Sequence, residues 1–301
     1  MTTNGSGFAD ALQRALDGTV FNTTLRKDVG EGTLDYEVYL KTPELLALQT
    51  PYEALSAPDE LLFQVVHQAQ ELWMKQLGFE AVSLIRSLDG GRLTAAFATL
   101  HRMFLIARGL GDQMRILQTM PPDVFQTVRR QLGNGSGLES PGYNRFHVAT
   151  EAMRVAFTRW CDRLGIRPID IYLEPEKNAD SHRLAEALLD LDESIQIWLV
   201  AHYMLVRRTI GVAKSVKALD GFPTVLLASR MTRPLFPELW DIRVEMTETW
   251  NRAGGFRPGE ERSSVGGAVG GHSVSGTRAA VSESDAEREA PGGPPSTRNV
   301  S

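Results

Sequence analysis

The chain has 301 residues, 42% of them hydrophobic, which is enough apolar material for one large helical domain or two small ones. Its net charge of -5 is spread over interspersed acids and bases. This excludes the basic face that nucleic acid or an anionic membrane surface requires and leaves small molecules as the expected partners. A single cysteine, Cys161, excludes an internal disulfide and a cysteine-rich zinc or iron–sulfur site, and it points to the cytosol.

Residues 1–35 are polar and weakly patterned, with FADALQRAL as a short amphipathic stretch, and read as an N-terminal arm. The first residues lack the basic-then-apolar build of an export signal. No run of about 18 apolar residues follows, so a soluble, cytoplasmic chain without a membrane partner is expected. From Tyr36 onward apolar residues recur at helical spacing, predicting long helices over roughly Asp59 to Ser87, Leu93 to Leu117, Pro122 to Leu132, Tyr143 to Leu164 and Ser181 to Thr209. Asp59, Thr94 and Ser181 are cap candidates, and Pro122 suits a first helical turn. GNGSGLESPG (133–142) and IRPIDIYLEPEKNADS (166–181) read as connections placed to cover a site. No strand alternation and no fixed-period repeat is visible, so the fold class expected is all-α, a closed bundle over 36–253. Residues 254–301 offer almost nothing to bury and read as a disordered tail.

The chain lacks HExxH, CxxC, GxSxG and a Gly-rich phosphate loop ahead of a helix, so the familiar hydrolase and nucleotide-binding readings fall away. Two histidines stand out. His202, in SIQIWLVAHYMLVRRTIG, shares a strongly apolar stripe with Ile195, Trp198, Leu199, Leu205 and Val206. An inward imidazole there is either a satisfied core residue or the one axial ligand that a haem needs from its protein. Arg207 and Arg208 beside it either pair with haem propionates or face water.

His67, in ELLFQVVHQAQELWMKQ, has Phe63 one turn before it and Gln70, Glu71 and Met74 on nearby faces. That helix either lines a pocket for an aromatic ligand or packs against a polar neighbour. Glu71, Lys75 and Glu80 read most simply as a solvated face. Tyr36 and Tyr39, ahead of the first long helix, are placed to cover a cavity or anchor a subunit contact. Arg145, near a loop-to-helix junction, is a cation able to hold an anionic group or simply an exposed side chain.

In chain order, DYEVYL, DELLFQVVHQAQELWMKQ, LQTMPPDVF, SGLES, AHYMLVRRTIG and FPELWDIR resemble the successive landmarks of the tryptophan 2,3-dioxygenases, from about Asp35 to Arg243. The resemblance implies a helical bundle with a haem b pocket between helices, O2 as co-substrate and a small indole amino acid as substrate. It implies His202 as axial ligand of the haem iron, His67 as the catalytic histidine facing the indole nitrogen, and Phe63 in the indole pocket. Tyr36, Tyr39 and Leu40 match a segment that reaches a neighbouring subunit's site in a homotetramer.

Two departures accompany these matches. Where the family reads SGFQS followed by Gln-Phe-Arg, this chain reads SGLESPGYN. That places Asn144 at the position given to the arginine that grips the substrate carboxylate, with Arg145 one residue on and rotated by about 100°. The family's Gly-Thr-Gly-Gly loop corresponds to AKSVKALDGFPTV, offering Ser215, Lys217 and Asp220 instead. The implied activity is oxygenation of the indole C2–C3 bond of tryptophan or a modified, for example methylated, tryptophan. One branch gives a ring-opened N-formylkynurenine-type product, and the other a 2-oxindole by monooxygenation with an external reductant, as one relative of the family does. The alternative is a catalytically silent haem- or indole-binding protein on the same scaffold.

Overall fold

The computed structural model describes residues 34–231 and 233–249, with positions 9, 11, 12 and 32. The tail expected at 254–301, and the expected arm apart from 9, 11, 12, 32, 34 and 35, lie outside the described residues. The described helices are α1 (Asp35–Leu40), α2 (Thr42–Leu46), α3 (Asp59–Asp89), α4 (Leu93–Leu117), α5 (Pro122–Arg129), α6 (Pro141–Leu164), α7 (Asp170–Leu173), α8 (Ala179–Thr209), α9 (Leu227–Met231) and α10 (Pro237–Thr249). Among the described residues there is no strand, only one isolated antiparallel bridge between Lys217 and Pro223. The all-α expectation holds.

Four long helices make the bundle. α8 packs along α4, α4 along α3, and α3 along α6. α6 returns to α8 through the Trp160 indole N–H, which donates to Ser181 Oγ at 3.0 Å, and through the Tyr143 and Trp198 rings, 5.7 Å apart. Each helix buries one stripe at three- and four-residue intervals: Met74, Leu77, Ala81, Leu84 and Leu88 on α3; Leu100, Met103, Ala107, Leu110 and Met114 on α4; Phe146, Thr150, Met153, Phe157 and Trp160 on α6; Leu184, Leu188, Leu191, Ile195 and Trp198 on α8. This spacing keeps one face turned inward over many turns, and burying these stripes from water is the main favourable term in folding.

Polar groups fix the register. Glu80, 3% exposed at its side chain, takes two hydrogen bonds from Arg102 of α4 (2.7 and 2.8 Å) and one from Gln76. The solvated face expected for Glu71, Lys75 and Glu80 therefore does not form, because inter-helix partners draw both glutamates inward. The fully buried Asp192 of α8 accepts from Leu235 N, Phe236 N and Trp240 Nε1 on one oxygen and from Gln196 on the other, so it pins the start of α10 to the core. The same helix is held further by Arg243, which donates to Glu186 of α8.

Helix ends follow local chemistry. α6 closes on Gly165 at φ 66, a left-handed cap that glycine adopts without steric cost. Pro122 occupies the first turn of α5 as expected. The other cap expectations differ. α8 starts at Ala179, two residues before Ser181, whose hydroxyl serves Trp160 instead. α4 takes Arg92 as N-cap with Thr94 inside the helix, and Asp59 is the first helical residue of α3 and makes no side-chain cap. The entry to α3 is fixed by Glu60, which accepts from both Ser56 N and Ser56 Oγ.

Candidate active site

α3, α5, α8, the 132–143 segment and the 210–227 segment enclose a cavity of about 230 Å3. α3 brings Phe63, His67, Gln70, Glu71 and Met74 to its wall; α5 brings Phe125 and Arg129; α8 brings Trp198, His202, Leu205 and Thr209. Two pairs among them sit one helical turn apart, Phe63 with His67 on α3 and Trp198 with His202 on α8, which is why single helices can deliver them together.

His67 Nδ1 lies 2.7 Å from the carbonyl oxygen of Phe63. A carbonyl only accepts, so Nδ1 carries the proton and Nε2 is the unprotonated nitrogen of the neutral ring. Burial lowers the pKa of His67, opposed by the Phe63 carbonyl and the nearby Glu71 carboxylate. The Phe63 ring lies tilted against the imidazole, 4.1 Å between centroids, and stands 6.2 Å from the Phe125 ring, making an aromatic corner at His67. Phe63, His67 and Leu132 also wall a second cavity of about 220 Å3, whose other sides carry Glu60, Gln64, Gln68 and Gln131.

His202 is neutral as well: burial first, then the neighbouring His67, push its pKa down to about 4. Its Nε2 stands against Gly137, where a Cβ would come to 3.6 Å. Two buried N–H donors on the same cavity's wall, Gln70 Nε2 and Trp198 Nε1, have no hydrogen-bond partner. Unmet buried donors are costly and are met by an acceptor from a bound water or a ligand. A neutral imidazole, an adjoining backbone without a side chain, apolar walls and unmet donors together fit a haem, whose iron takes an axial imidazole and whose edge carries two carboxylates. Among the described residues no cluster of three or more His, Cys, Asp or Glu is placed to hold a bare metal ion.

The structure thus brings His67, Phe63 and His202 to one cavity. It does not bring Asn144 or Arg145 there. Both are exposed on α6, turned away by the helical register that points Tyr143 and Phe146 inward, and the Asn144 amide donates to Leu138 O and Ser140 O. Ser215, Lys217 and Asp220 are exposed too. Asp220 accepts from Phe222 N at 2.9 Å in a tight side-chain turn, while Ala218, Leu219 and Phe222 line the cavity. Tyr36, Tyr39 and Leu40 stand on α1, away from the wall and 68%, 86% and 45% exposed.

Sequence reasoning missed Arg129. It is the only cation among the cavity-lining residues described, and one of its N–H groups donates to Lys217 O at 3.0 Å. The available signal was PDVFQTVRR, where Phe125 and Arg129 share a face four residues apart. Arg130 beside it is exposed, and from sequence alone the two arginines were indistinguishable.

Comparison with known proteins falls in line with this geometry. The family model described as Tryptophan 2,3-dioxygenase matches residues 22–157. A tryptophan 2,3-dioxygenase of Herpetosiphon aurantiacus is 30% identical over 262 residues, covering 71% of this chain and 98% of the relative. The chain belongs to the tryptophan 2,3-dioxygenase family. Other family members are similarly distant: that of Myxococcus xanthus is 28% identical over 266 residues (72% of this chain, 91% of the relative), and that of Anaeromyxobacter dehalogenans 30% over 257 residues (70% and 95%).

Proposed function

We propose that this member of the tryptophan 2,3-dioxygenase family is a haem-dependent oxygenase that adds O2-derived oxygen to the indole C2–C3 bond of tryptophan or a modified tryptophan. The observation that carries the reading is one apolar cavity walled by two neutral histidines and by Arg129. Haem b, when bound, supplies the O2 activation that amino-acid side chains do not. His202 would hold its iron, and Gln70 Nε2 and Trp198 Nε1 are donors suited to carboxylates.

The remaining roles belong to this chain's own groups. His67 Nε2, unprotonated because Nδ1 is committed to Phe63 O, accepts the indole N–H and sets the ring's orientation. It is also the group placed to take and return a proton at that nitrogen as the ring is oxidised. Phe63 and Phe125 pack the indole. The Arg129 fork pairs with the substrate carboxylate, and such a charge-assisted, two-point contact fixes direction as well as affinity. The apolar wall keeps bulk water from the reacting carbons. In the same reading the exposed Tyr36, Tyr39 and Leu40 of α1 dock on a neighbouring copy in a homotetramer, which gives these large side chains the cover that they lack in one chain.

The test is product mass after aerobic incubation of haem-loaded, reduced protein with tryptophan and with a side-chain-methylated tryptophan, ascorbate present. Gain of two oxygen atoms marks the ring-opening reaction, which needs no external electrons. Gain of one marks 2-oxindole formation, where a reductant supplies two electrons and the second oxygen leaves as water. Haem binding without product from any indole would overturn the enzyme reading in favour of a silent haem- or indole-binding protein. Against that alternative, Arg129 in the cavity wall supplies a cation for the substrate carboxylate where Asn144 offers none.

A further inference from the structure

Glu71 stands one helical turn beyond His67 and faces the same cavity, yet its carboxylate is committed to another element. One oxygen takes the Ser140 hydroxyl, and the other takes Gly142 N–H at 2.8 Å. Both partners lie at the N-terminus of α6, whose first turn carries no acid of its own. Glu71 therefore provides from α3 the negative charge that a helix N-terminus favours. The approach needs glycine: a Cβ on Gly142 would come to 2.7 Å from both Glu71 Oε2 and Met74 Cβ.

Ser140 also ends the 136–140 turn. That turn is closed on itself by reciprocal bonds between Ser136 and Glu139 and is braced by the Asn144 amide on Leu138 O and Ser140 O. Gly137 within it is the residue that stands against His202 Nε2. The chain of contacts runs from α3, through a carboxylate, to the backbone beside the second histidine.

We propose that Glu71 is a positioning residue: through Ser140 and Gly142 it fixes the 136–140 turn relative to His202 Nε2, and with it the room left for what binds at that nitrogen. This inference rests on the function proposed for the cavity, and it assigns Glu71 no contact with substrate. The hydrogen bonds do the positioning, so a neutral acceptor in the same place suffices.

The test compares Glu71→Leu, Glu71→Gln and Ser140→Ala in the full-length, haem-loaded protein, reading amide hydrogen exchange over residues 136–143 and the rate of haem transfer to an acceptor globin. Glu71→Leu is expected to raise both rates about tenfold or more, with exchange elsewhere in α3 and α6 unchanged, because two hydrogen bonds to a charged acceptor are lost together and the turn then opens locally more often. Glu71→Gln, which still accepts from Gly142 N–H, is expected to stay within about threefold of wild type. Ser140→Ala also removes the N-cap that Ser140 Oγ gives to Tyr143 N, so its effect is read over residues 136–140, where it should fall between them and add little to Glu71→Leu. If Glu71→Leu does not fold, faster exchange over 136–140 in Ser140→Ala, outside the α6 turn that its hydroxyl caps, carries the same expectation. Native exchange at 136–143 in Glu71→Leu, or at 136–140 in Ser140→Ala where that variant stands in, would overturn the proposal. So would a Glu71→Gln as impaired as Glu71→Leu, because the charge rather than the hydrogen bonds would then be at work. Failure of the wild-type chain to take up haem would instead sink the function proposed above, while the exchange measurement would still report on the turn.

Discussion

Arg129→Leu decides where the ligand's carboxylate is read. The guanidinium has five N–H donors in a planar fork, and one is given to Lys217 O at 3.0 Å. The others remain for a ligand in the cavity that Arg129 lines. Hydrogen bonds to a charged group contribute about 1.5–3 kcal/mol. At about 1.4 kcal/mol per factor of ten, their loss weakens tryptophan binding by about 10- to 150-fold. The assay is calorimetric binding to the haem-loaded protein of tryptophan and of tryptamine, which keeps the indole and the amine but lacks the carboxylate. Tryptamine affinity should stay within about threefold in the variant, and this also controls for any disturbance of the 210–227 segment that Arg129 tethers. Asn144→Ala and Arg145→Ala should leave tryptophan affinity within about threefold, since neither side chain reaches the wall. Native tryptophan affinity in Arg129→Leu, with a tenfold loss in Arg145→Ala, would refute the reasoning and show that the 141–145 segment rearranges around substrate.

Further outcomes follow from the same geometry. His202→Ala should leave no stoichiometric Soret band after haem supplementation, whereas His67→Ala should keep the band and lose turnover by about a hundredfold, the cost of a misaligned reacting ring. For the haem-free chain, the folded His202 pKa of about 4 lies below its ordinary 6.5. The unfolded chain therefore binds the extra proton between those values, and stability is full above pH 6.5 and falls as pH drops towards 4. At about 1.4 kcal/mol per pH unit the whole interval is worth about 3 kcal/mol. His67, also lowered by burial, acts in the same direction. Urea unfolding at pH 7 and pH 4.5 should show this loss reduced in His202→Leu, and equal losses in both proteins would exclude His202 as its source. Asp192→Ala leaves four donors without their acceptor and should cost about 3–5 kcal/mol, read as a fall in melting temperature of about 10 °C or more.

The long helices were legible because each presents one apolar face over many turns. Leu93 to Leu117 agrees to the residue and three of the others to within two, while Pro122 to Leu132 runs three residues past α5, through a 3-10 turn at Arg130–Leu132. Short helices escaped for the complementary reason. α7 has four residues and α10 buries only Leu239 and Ile242 along its length, so neither has a periodicity to read, and both are held by side chains from other helices. His67 and His202, which the structure places on one cavity, are singled out in the sequence by residue type and by the resemblance. What could not be read was which polar residues face inward, because partners distant in sequence settle that: Ser140 and Gly142 for Glu71, Arg102 for Glu80, and the backbone at Leu235 and Phe236 for Asp192.

The same distinction separates the family landmarks by job. FPELWDIR is an anchor: its Phe236 N–H and Trp240 indole satisfy Asp192, and its Arg243 pairs with Glu186. Residues there are fixed by the bundle and say nothing about substrate. SGLES is different, since it ties α3 to the backbone beside His202 through Glu71. The step from SGLES into PGYN puts glycine at 142, where the close approach of Glu71 and Met74 leaves no space for a side chain. The altered PGYN segment is thus accounted for by helix packing, with Asn144 bracing a turn. A change of substrate need not be inferred from it, and the other altered segment, 210–227, places Ala218, Leu219 and Phe222 on the cavity wall that Arg129 also lines.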